Sequence, residues 1–344
     1  MRPTVAILGA TGMVGRTMLA ILEAREFPAA EVRLLASERS ADRTMRFRGR
    51  DIPVQAVNAD AFAGVTVALF ATSAELSRQW APIAQAAGAR VVDNSSAFRM
   101  EPGVPLVVPE VNGHLLDDAP MLVANGNCVA IPLVMTLKPL CALAHPVRVV
   151  VSSYQSVSGA GAEAIAELER GTRAGLDGPP PVRPDGRPPF AFNVLAHIDR
   201  FDAEGWTGEE RKIVAETRRM LDLPELAVTP TSVRVPVRIG HSASVVATFD
   251  RPVTVAAAHA AWAAFPGVQV VDDPAQERYP TPLEAAGLDD VLVGRTRRDP
   301  SDPNTLVWFL SSDNLRKGAA LNAVQVAERR SEEHTSELQS HSDL

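Results

Sequence analysis

The chain is predicted to be an α/β protein of two domains, and three observations carry that expectation. A short apolar run, Thr4-Val-Ala-Ile-Leu, ends at Gly9 and is followed by Gly9-Ala-Thr-Gly12-Met-Val-Gly15 and a segment with helical apolar spacing. Strand-like and helix-like segments then alternate as far as residue 127. From about residue 145 the texture changes to long β-rich runs. A length of 344 residues also favours two domains. The first is expected to be a Rossmann-like nucleotide-binding domain over residues 1–127, the second an α+β domain over 128–312.

Composition narrows the class. Hydrophobic content of 46% and charged content of 22% suit a globular enzyme with an ample core. No apolar run reaches the roughly 18 residues of a membrane helix, and the first residues lack a signal-peptide layout, so a cytoplasmic protein without a membrane partner is expected. Two cysteines argue against a disulfide framework and for a reducing compartment. The stretch Arg330-Ser-Glu-Glu-His-Thr-Ser-Glu-Leu-Gln-Ser-His resembles the direct translation of a common short-read sequencing adapter, so residues 330–344 are expected to be a non-native tail. Residues 331–344 hold four acids and no Lys or Arg; without them the net charge moves from −7 to −3. A mildly acidic body gives no support for a nucleic-acid partner.

The elements follow in order. In the glycine turn, Gly9 permits the sharp bend, Gly12 lets a pyrophosphate approach the backbone, and Gly15 allows close packing of helix on strand. Thr11, Met13 and Val14 complete the expected cofactor turn. The second strand, Glu31-Val-Arg-Leu-Leu-Ala, is followed by Ser37-Glu38-Arg39-Ser40. Arg39 and Ser40 could hold a 2′-phosphate, which points to NADP(H), whereas Glu38 could face a ribose. Strand, helix and strand recur at Val65–Ala71, residues 75–88 and Arg90-Val-Val-Asp. Asp93-Asn-Ser-Ser-Ala-Phe-Arg99 then sits at a strand end, where Arg99 suits an anion.

Cys128, in Asn125-Gly-Asn127-Cys128, opens an apolar segment that reads as a buried helix with Pro132 in its first turn. A helix N-terminus favours thiolate over thiol, and the thiolate is the nucleophile. A buried, inert cysteine is the competing reading, and it is the one adopted for Cys141. Further on come Val147 to Tyr154 as a strand, a helix from Ala162 to Arg170, an irregular Pro/Gly-rich loop over 171–189, a charged helix from Glu209 to Leu221, and strands over 232–237 and 244–249. His241 lies in Arg234-Val-Pro-Val-Arg-Ile-Gly-His-Ser, and an imidazole near a thiolate serves acid/base chemistry.

Taken together, these blocks resemble bacterial-type aspartate-semialdehyde dehydrogenase, from Gly9 to about Glu328. The markers are the glycine turn, Asp-Asn-Ser-Ser-Ala-Phe-Arg, Val-Pro-Glu-Val-Asn, Asn-Cys, Tyr-Gln-Ser-Val-Ser-Gly-Ala-Gly, Arg-Val-Pro-Val with Gly-His-Ser, Tyr-Pro-Thr-Pro-Leu, and Asp-Asn-Leu-Arg-Lys-Gly-Ala-Ala-Leu-Asn. Their order and spacing are specific.

The resemblance implies that Cys128 forms an acyl-enzyme thioester, His241 relays a proton and Gln155 orients the substrate. It implies that Arg234 clamps the substrate α-carboxylate, a task suited to a planar guanidinium. Glu209 would hold the substrate amine, and Arg99, Lys212 and Asn127 the phosphate. Otherwise Glu209 and Lys212 form an (i, i+3) surface pair. Ser158, Gly159 and Asn314 would touch NADP(H). A catalytic and dimerisation role for the second domain, a homodimer, no metal, and a C-terminal helix over 313–329 that returns to the first domain are also implied.

The implied reaction is reductive dephosphorylation of L-aspartyl-4-phosphate in lysine, methionine and threonine biosynthesis. N-acetyl-glutamyl-phosphate reductase is the nearest alternative, and a non-catalytic homologue the more distant one. The chain departs from the family pattern at Gly126, Val129 and Ala243, and the loop Ala71-Thr-Ser-Ala-Glu75 lacks the usual glycines.

Overall fold

A computed structural model describes residues 2–329; the expected tail, 330–344, lies outside the described residues. The chain divides into two units, one built from residues up to Asn127 and from Ala319 onward, the other from Cys128–Gly318.

The first unit contains strands β1 (Thr4–Leu8), β2 (Glu31–Ala36), β3 (Thr44–Phe47), β4 (Arg50–Ala56), β5 (Val67–Phe70), β6 (Arg90–Asp93), β7 (Leu106–Val107) and β8 (Leu122–Asn125). They form one sheet in the order β3-β4-β2-β1-β5-β6-β8-β7. All neighbours are parallel except β3 and β4. Parallel strands buried on both faces read as continuous apolar runs. The two faces divide by alternation: Val5 and Ile7 of β1 join one core, Ala6 and Leu8 the other.

Helix α1 (Met13–Ala24) contributes Met18, Leu19, Ile21 and Leu22 to the first of these cores. Helix α2 (Ala74–Ala86) contributes Ala81 and Ala84 to the second. A short helix α3 (Pro109–Asn112) precedes β8. The chain is again helical over 321–329, where Leu321, Val324 and Val326 join the α1 core, and Glu328 pairs with Arg25 at 2.7 Å.

That helix begins later than residue 313. Asp313 ends the preceding strand in a turn, its Oδ1 accepting the Leu315 and Arg316 N–H groups and its Oδ2 that of Gly287. A π-helical turn, Arg316–Ala320, follows, and residues through Gly318 belong to the second unit.

The second unit opens with α4 (Ala130–Cys141), whose residues from Ala130 to Leu137 are all buried. Pro132 occupies its third position, where a missing N–H breaks no intrahelical bond. Next come β9 (Pro146–Gln155), α5 (Ala162–Gly175), α6 (Gly208–Leu221), β10 (Ala227–Arg234), β11 (His241–Phe249), α7 (Val255–Ala263), β12 (Val268–Val270), α8 (Pro282–Ala285), β13 (Val291–Arg298) and β14 (Thr305–Ser312). The six strands form a mixed sheet in the order β10-β9-β11-β14-β13-β12. Thr136 ties α4 to the unit's core: its carbonyl accepts from Trp262 Nε1 at 2.8 Å and its hydroxyl from Trp308 Nε1 at 3.3 Å.

Three boundaries differ from the sequence expectation. Helix α5 runs five residues past Arg170, because Gly171 fits against Ala191 with no side chain to displace. Strand β10 starts at Ala227 and tolerates Pro230 because it is an edge strand. Strand β11 starts at His241 rather than Ser244.

Candidate active site

In the first unit the glycine turn closes where β1 meets β2 on one side and β5 on the other, the switch point of a doubly wound sheet. Gly9 has φ +85°, and a Cβ there would stand 2.2 Å from the Ala71 carbonyl. A Cβ on Gly15 would stand 2.3 Å from the Gly9 carbonyl. Glycine is therefore sterically required at both ends of the turn. Gly12 is the N-cap of α1 and offers no side-chain cap, so that helix end suits an anion. Thr11, Met13 and Val14 are half-buried along the turn. Strand β2 ends at Ala36, and a single 3-10 turn, Glu38–Ser40, follows; Arg39 is exposed in it and Ser40 half-buried. This donor set fits a dinucleotide.

Arg99 is buried in the same unit, with Nε donating to the Asn125 carbonyl at 2.8 Å and Nη2 to that of Asn94 at 2.7 Å. Asp93 shapes the loop that carries it, accepting from Ser77 Oγ and Ser95 Oγ at 2.6 Å each. Burial pushes the Asp93 carboxyl up, and these hydrogen bonds oppose it. Asn127 is also buried.

In the second unit Cys128 is half-buried and stands one residue before the N-cap of α4, Val129, rather than at the cap itself. A Cβ on Gly318 would lie 3.1 Å from the Cys128 Cβ, so the absence of a side chain at 318 makes room for the cysteine. Cys141 is half-buried at the far end of α4, and burial pushes its thiol up.

Gln155 and Arg234 end β9 and β10 in paired register. Gln155 Nε2 donates to Glu209 Oε1 at 3.3 Å and to Ser153 Oγ at 3.2 Å. Arg234 Nη1 donates to the Ser156 carbonyl at 2.7 Å. Burial pulls the Arg234 guanidinium below its ordinary value, while the charges of Cys128 and Glu209 oppose that shift. Glu209 lies in the first turn of α6, behind a capping box of Thr207 and Glu210. Its side chain is only 8% exposed, so its pairing with Lys212 at 3.5 Å is not a surface pair. Lys212 also binds Asp199 Oδ2 at 2.7 Å.

His241 begins β11, immediately after Gly240, whose φ is +94°. The ring is 2% exposed. Burial, with the Arg234 charge adding to it, lowers its pKa to about 3, so it is neutral at ordinary pH. A Cβ on Gly159 would sit 3.1 Å from Arg234 Nη1 and 3.4 Å from His241 Nε2, so a glycine here leaves both groups uncovered.

Ser158 and Asn314, expected at the cofactor, are buried and bonded to each other, Asn314 Nδ2 donating to Ser158 Oγ at 2.9 Å. Three contributors were not singled out from sequence: Ser156, Asp199 and Gly318. Ser156 and Gly318 stand inside blocks that carried the resemblance; Asp199 has no local signal. Among the described residues no cluster of His, Cys, Asp and Glu could hold a metal, and no helix is long and apolar enough to cross a membrane.

A nucleotide-type sheet and, in the second unit, a half-buried cysteine with a buried Gln, Arg, Glu and His define an oxidoreductase with a nucleotide-binding domain. Two family descriptions match: "Semialdehyde dehydrogenase, NAD binding domain" over residues 4–119 and "Semialdehyde dehydrogenase, dimerisation domain" over 137–317. An aspartate-semialdehyde dehydrogenase of Synechocystis sp. is 46% identical over 324 residues, covering 94% of this chain and 96% of the relative. The crystal structure of aspartate-semialdehyde dehydrogenase II from Vibrio cholerae has a TM-score of 0.92 at 42% identity, covering 95% of this chain and 98% of that one. The same enzyme solved in complex with ASA gives 0.91 at 41% identity, with the same coverage. The chain belongs to the aspartate-semialdehyde dehydrogenase family.

Proposed function

We propose that the protein catalyses the NADPH-dependent reductive dephosphorylation of L-aspartyl-4-phosphate to L-aspartate 4-semialdehyde. The observation that carries this reading is the buried group Gln155, Glu209 and Arg234 in the unit that holds Cys128 and His241. It presents a guanidinium for a carboxylate and a carboxylate for an amine, the two ends of an aspartyl group. The Vibrio cholerae relative solved with ASA supports the same substrate class.

Cys128 attacks the acyl phosphate and forms a thioester, which divides one hard displacement into two easier steps. Arg234 anchors the α-carboxylate and Glu209 the amine, while Gln155, held by Glu209, orients the acyl group. His241 relays the proton, protonating the hemithioacetal intermediate as the semialdehyde is released. Lys212, Arg99 and Asn127 bind the phosphate. The turn from Gly9 to Gly15, with Thr11, Gly12, Met13 and Val14, binds the cofactor pyrophosphate, Arg39 and Ser40 hold its 2′-phosphate, and Ser158, Gly159 and Asn314 are further cofactor contacts. When bound, NADPH supplies the hydride that reduces the thioester. A cytoplasmic homodimer and a role in lysine, methionine and threonine biosynthesis belong to the same reading; the match to a dimerisation domain supports the dimer.

The test is the reverse reaction, with L-aspartate semialdehyde, phosphate and NADP⁺ or NAD⁺, followed at the reduced-nicotinamide absorbance. Phosphate-dependent reduction of NADP⁺ is expected. No signal from folded protein, with activity on N-acetylglutamate semialdehyde instead, overturns the aspartyl assignment.

A further inference from the structure

We infer that Asn322 is a positioning residue for Arg99, acting through a ladder of three asparagines that crosses the carboxyl ends of the first sheet. The inference deepens the reaction proposed above and rests on it only for the assignment of phosphate to Arg99.

The ladder follows the sheet order β5-β6-β8-β7. Asn94, just past β6, donates from Nδ2 to the carbonyl of Phe70, the last residue of β5, at 3.0 Å. Asn125, the last residue of β8, donates from Nδ2 to Asn94 Oδ1 at 2.7 Å and to the Ala319 carbonyl at 3.1 Å. Asn322, in the helical segment 321–329, donates from Nδ2 to Asn125 Oδ1 at 2.6 Å and to the carbonyl of Val107, the last residue of β7, at 2.9 Å.

The amide directions are forced. The ladder ends on two backbone carbonyls, which can only accept, so the side-chain atom facing each is Nδ2. Turning Asn125 alone would set oxygen against oxygen on one side and nitrogen against nitrogen on the other. Asn125 and Asn322 are fully buried, where an unpaired polar group is costly. One arrangement is therefore strongly preferred.

The ladder bears on Arg99 because two of its members present the carbonyls that hold the guanidinium. Arg99 Nε donates to that of Asn125 at 2.8 Å and Nη2 to that of Asn94 at 2.7 Å. The N–H directions of a guanidinium are fixed, so its plane is set by where these two carbonyls stand. Asn94 and Asn125 are joined side chain to side chain, and Asn322 ties Asn125 to β7 from 197 positions further along the chain. Ligands of such a sheet gather at these strand ends. Asn322 thus acts on phosphate through the aim of Arg99.

Steady-state kinetics of the full chain in semialdehyde oxidation test this, with phosphate, L-aspartate semialdehyde and NADP⁺ varied in turn. Asn322→Ala should change the same parameter as Arg99→Ala. On the reading above that is KM for phosphate, raised roughly tenfold by a small misplacement of the contact, with KM for NADP⁺ unchanged. Asn322→Asp keeps the shape and loses the N–H donors, so it should do at least as much harm as Asn322→Ala. In the double variant, Asn322→Ala should add nothing to Arg99→Ala. No effect of either Asn322 variant, near-native kinetics in Asn322→Asp, an effect on a different parameter from Arg99→Ala, or additive losses overturns the inference. Should the Asn322 variants not fold, Asn94→Ala removes the acceptor of Asn125 at the half-buried end of the ladder and is judged by the same comparisons with Arg99→Ala. Hydrogen exchange over residues 94–99 decides independently of activity: it should be faster in Asn322→Ala, and an unchanged rate overturns the inference. Should Arg99→Ala and Asn322→Ala both move KM for the semialdehyde and leave that for phosphate alone, or should exchange respond in a protein inactive on aspartate semialdehyde, the assignment above falls and this inference stands.

Discussion

Lys212 Nζ stands 2.7 Å from Asp199 Oδ2, and that bond, before any other cause, holds the Asp199 carboxyl below the usual carboxylate range. A cation proposed to bind phosphate is thereby already engaged by an anion. A Cβ on Gly208 would come within 2.6 Å of Asp199 Oδ2, so the first residue of α6 leaves that carboxylate its place. Asp199→Asn should remove the competitor and lower KM for phosphate in semialdehyde oxidation. The change should be at most about fivefold, since exposed pairs contribute about 0.2–1 kcal/mol. A raised KM would show that Asp199 instead holds Lys212 in its working position.

Cys128→Ser should lower turnover by several orders of magnitude, on the order of 10⁴ as for other covalent nucleophiles. NADPH binding, read by fluorescence titration, should be retained. Near-normal activity in this variant would remove the thioester from the mechanism.

Gly318→Ala would place a methyl 3.1 Å from the Cys128 Cβ. One of the two must shift by a few tenths of an ångström. Sub-ångström displacement of a nucleophile should lower kcat about tenfold, with a small change in melting temperature and little change in KM for NADP⁺. Unchanged kcat would mean that the turn at 316–320 absorbs the methyl.

Arg39→Ala tests cofactor choice. A charge-assisted contact to phosphate contributes about 1.5–3 kcal/mol, so NADP⁺ affinity should fall roughly ten- to a hundredfold. NAD⁺ affinity should stay the same. Equal losses for both cofactors would assign Arg39 to the shared part of the dinucleotide.

His241 gives a stability signature whose sign follows from burial. Its folded pKa is lowered from 6.5 to about 3. Between those values the unfolded chain binds the extra proton, so this contribution is fully present above about pH 6.5 and is lost as pH falls towards 3. The difference in urea midpoint between the unmodified protein and His241→Gln should therefore shift against the unmodified protein from pH 7 to pH 4. A constant difference would mean that the ring is solvated in the folded state.

Much of this was legible in the chain. The glycine turn at 9–15 was readable because its constraint is local: positive φ at Gly9 and backbone contact at Gly15 leave no choice of residue. The parallel first sheet was readable because strands buried on both faces are apolar throughout. Glu209 was ambiguous, since an (i, i+3) acid and lysine look alike whether buried or exposed. Burial decided it, and burial is set by what packs around α6 rather than by its own residues.

The order of motifs along the chain was enough to specify the nucleotide fold and the family. Local sterics and helix periodicity are encoded over a few neighbouring residues, and they survive without the rest of the molecule. Tertiary structure alone decided the burial of His241, the engagement of Lys212 by Asp199 and the close approach of Gly318 to Cys128. Each of these depends on residues separated along the chain, by 13 positions for Asp199 and Lys212 and by far more for Cys128 and Gly318, meeting within hydrogen-bond or van der Waals distance. No spacing along a sequence records that meeting.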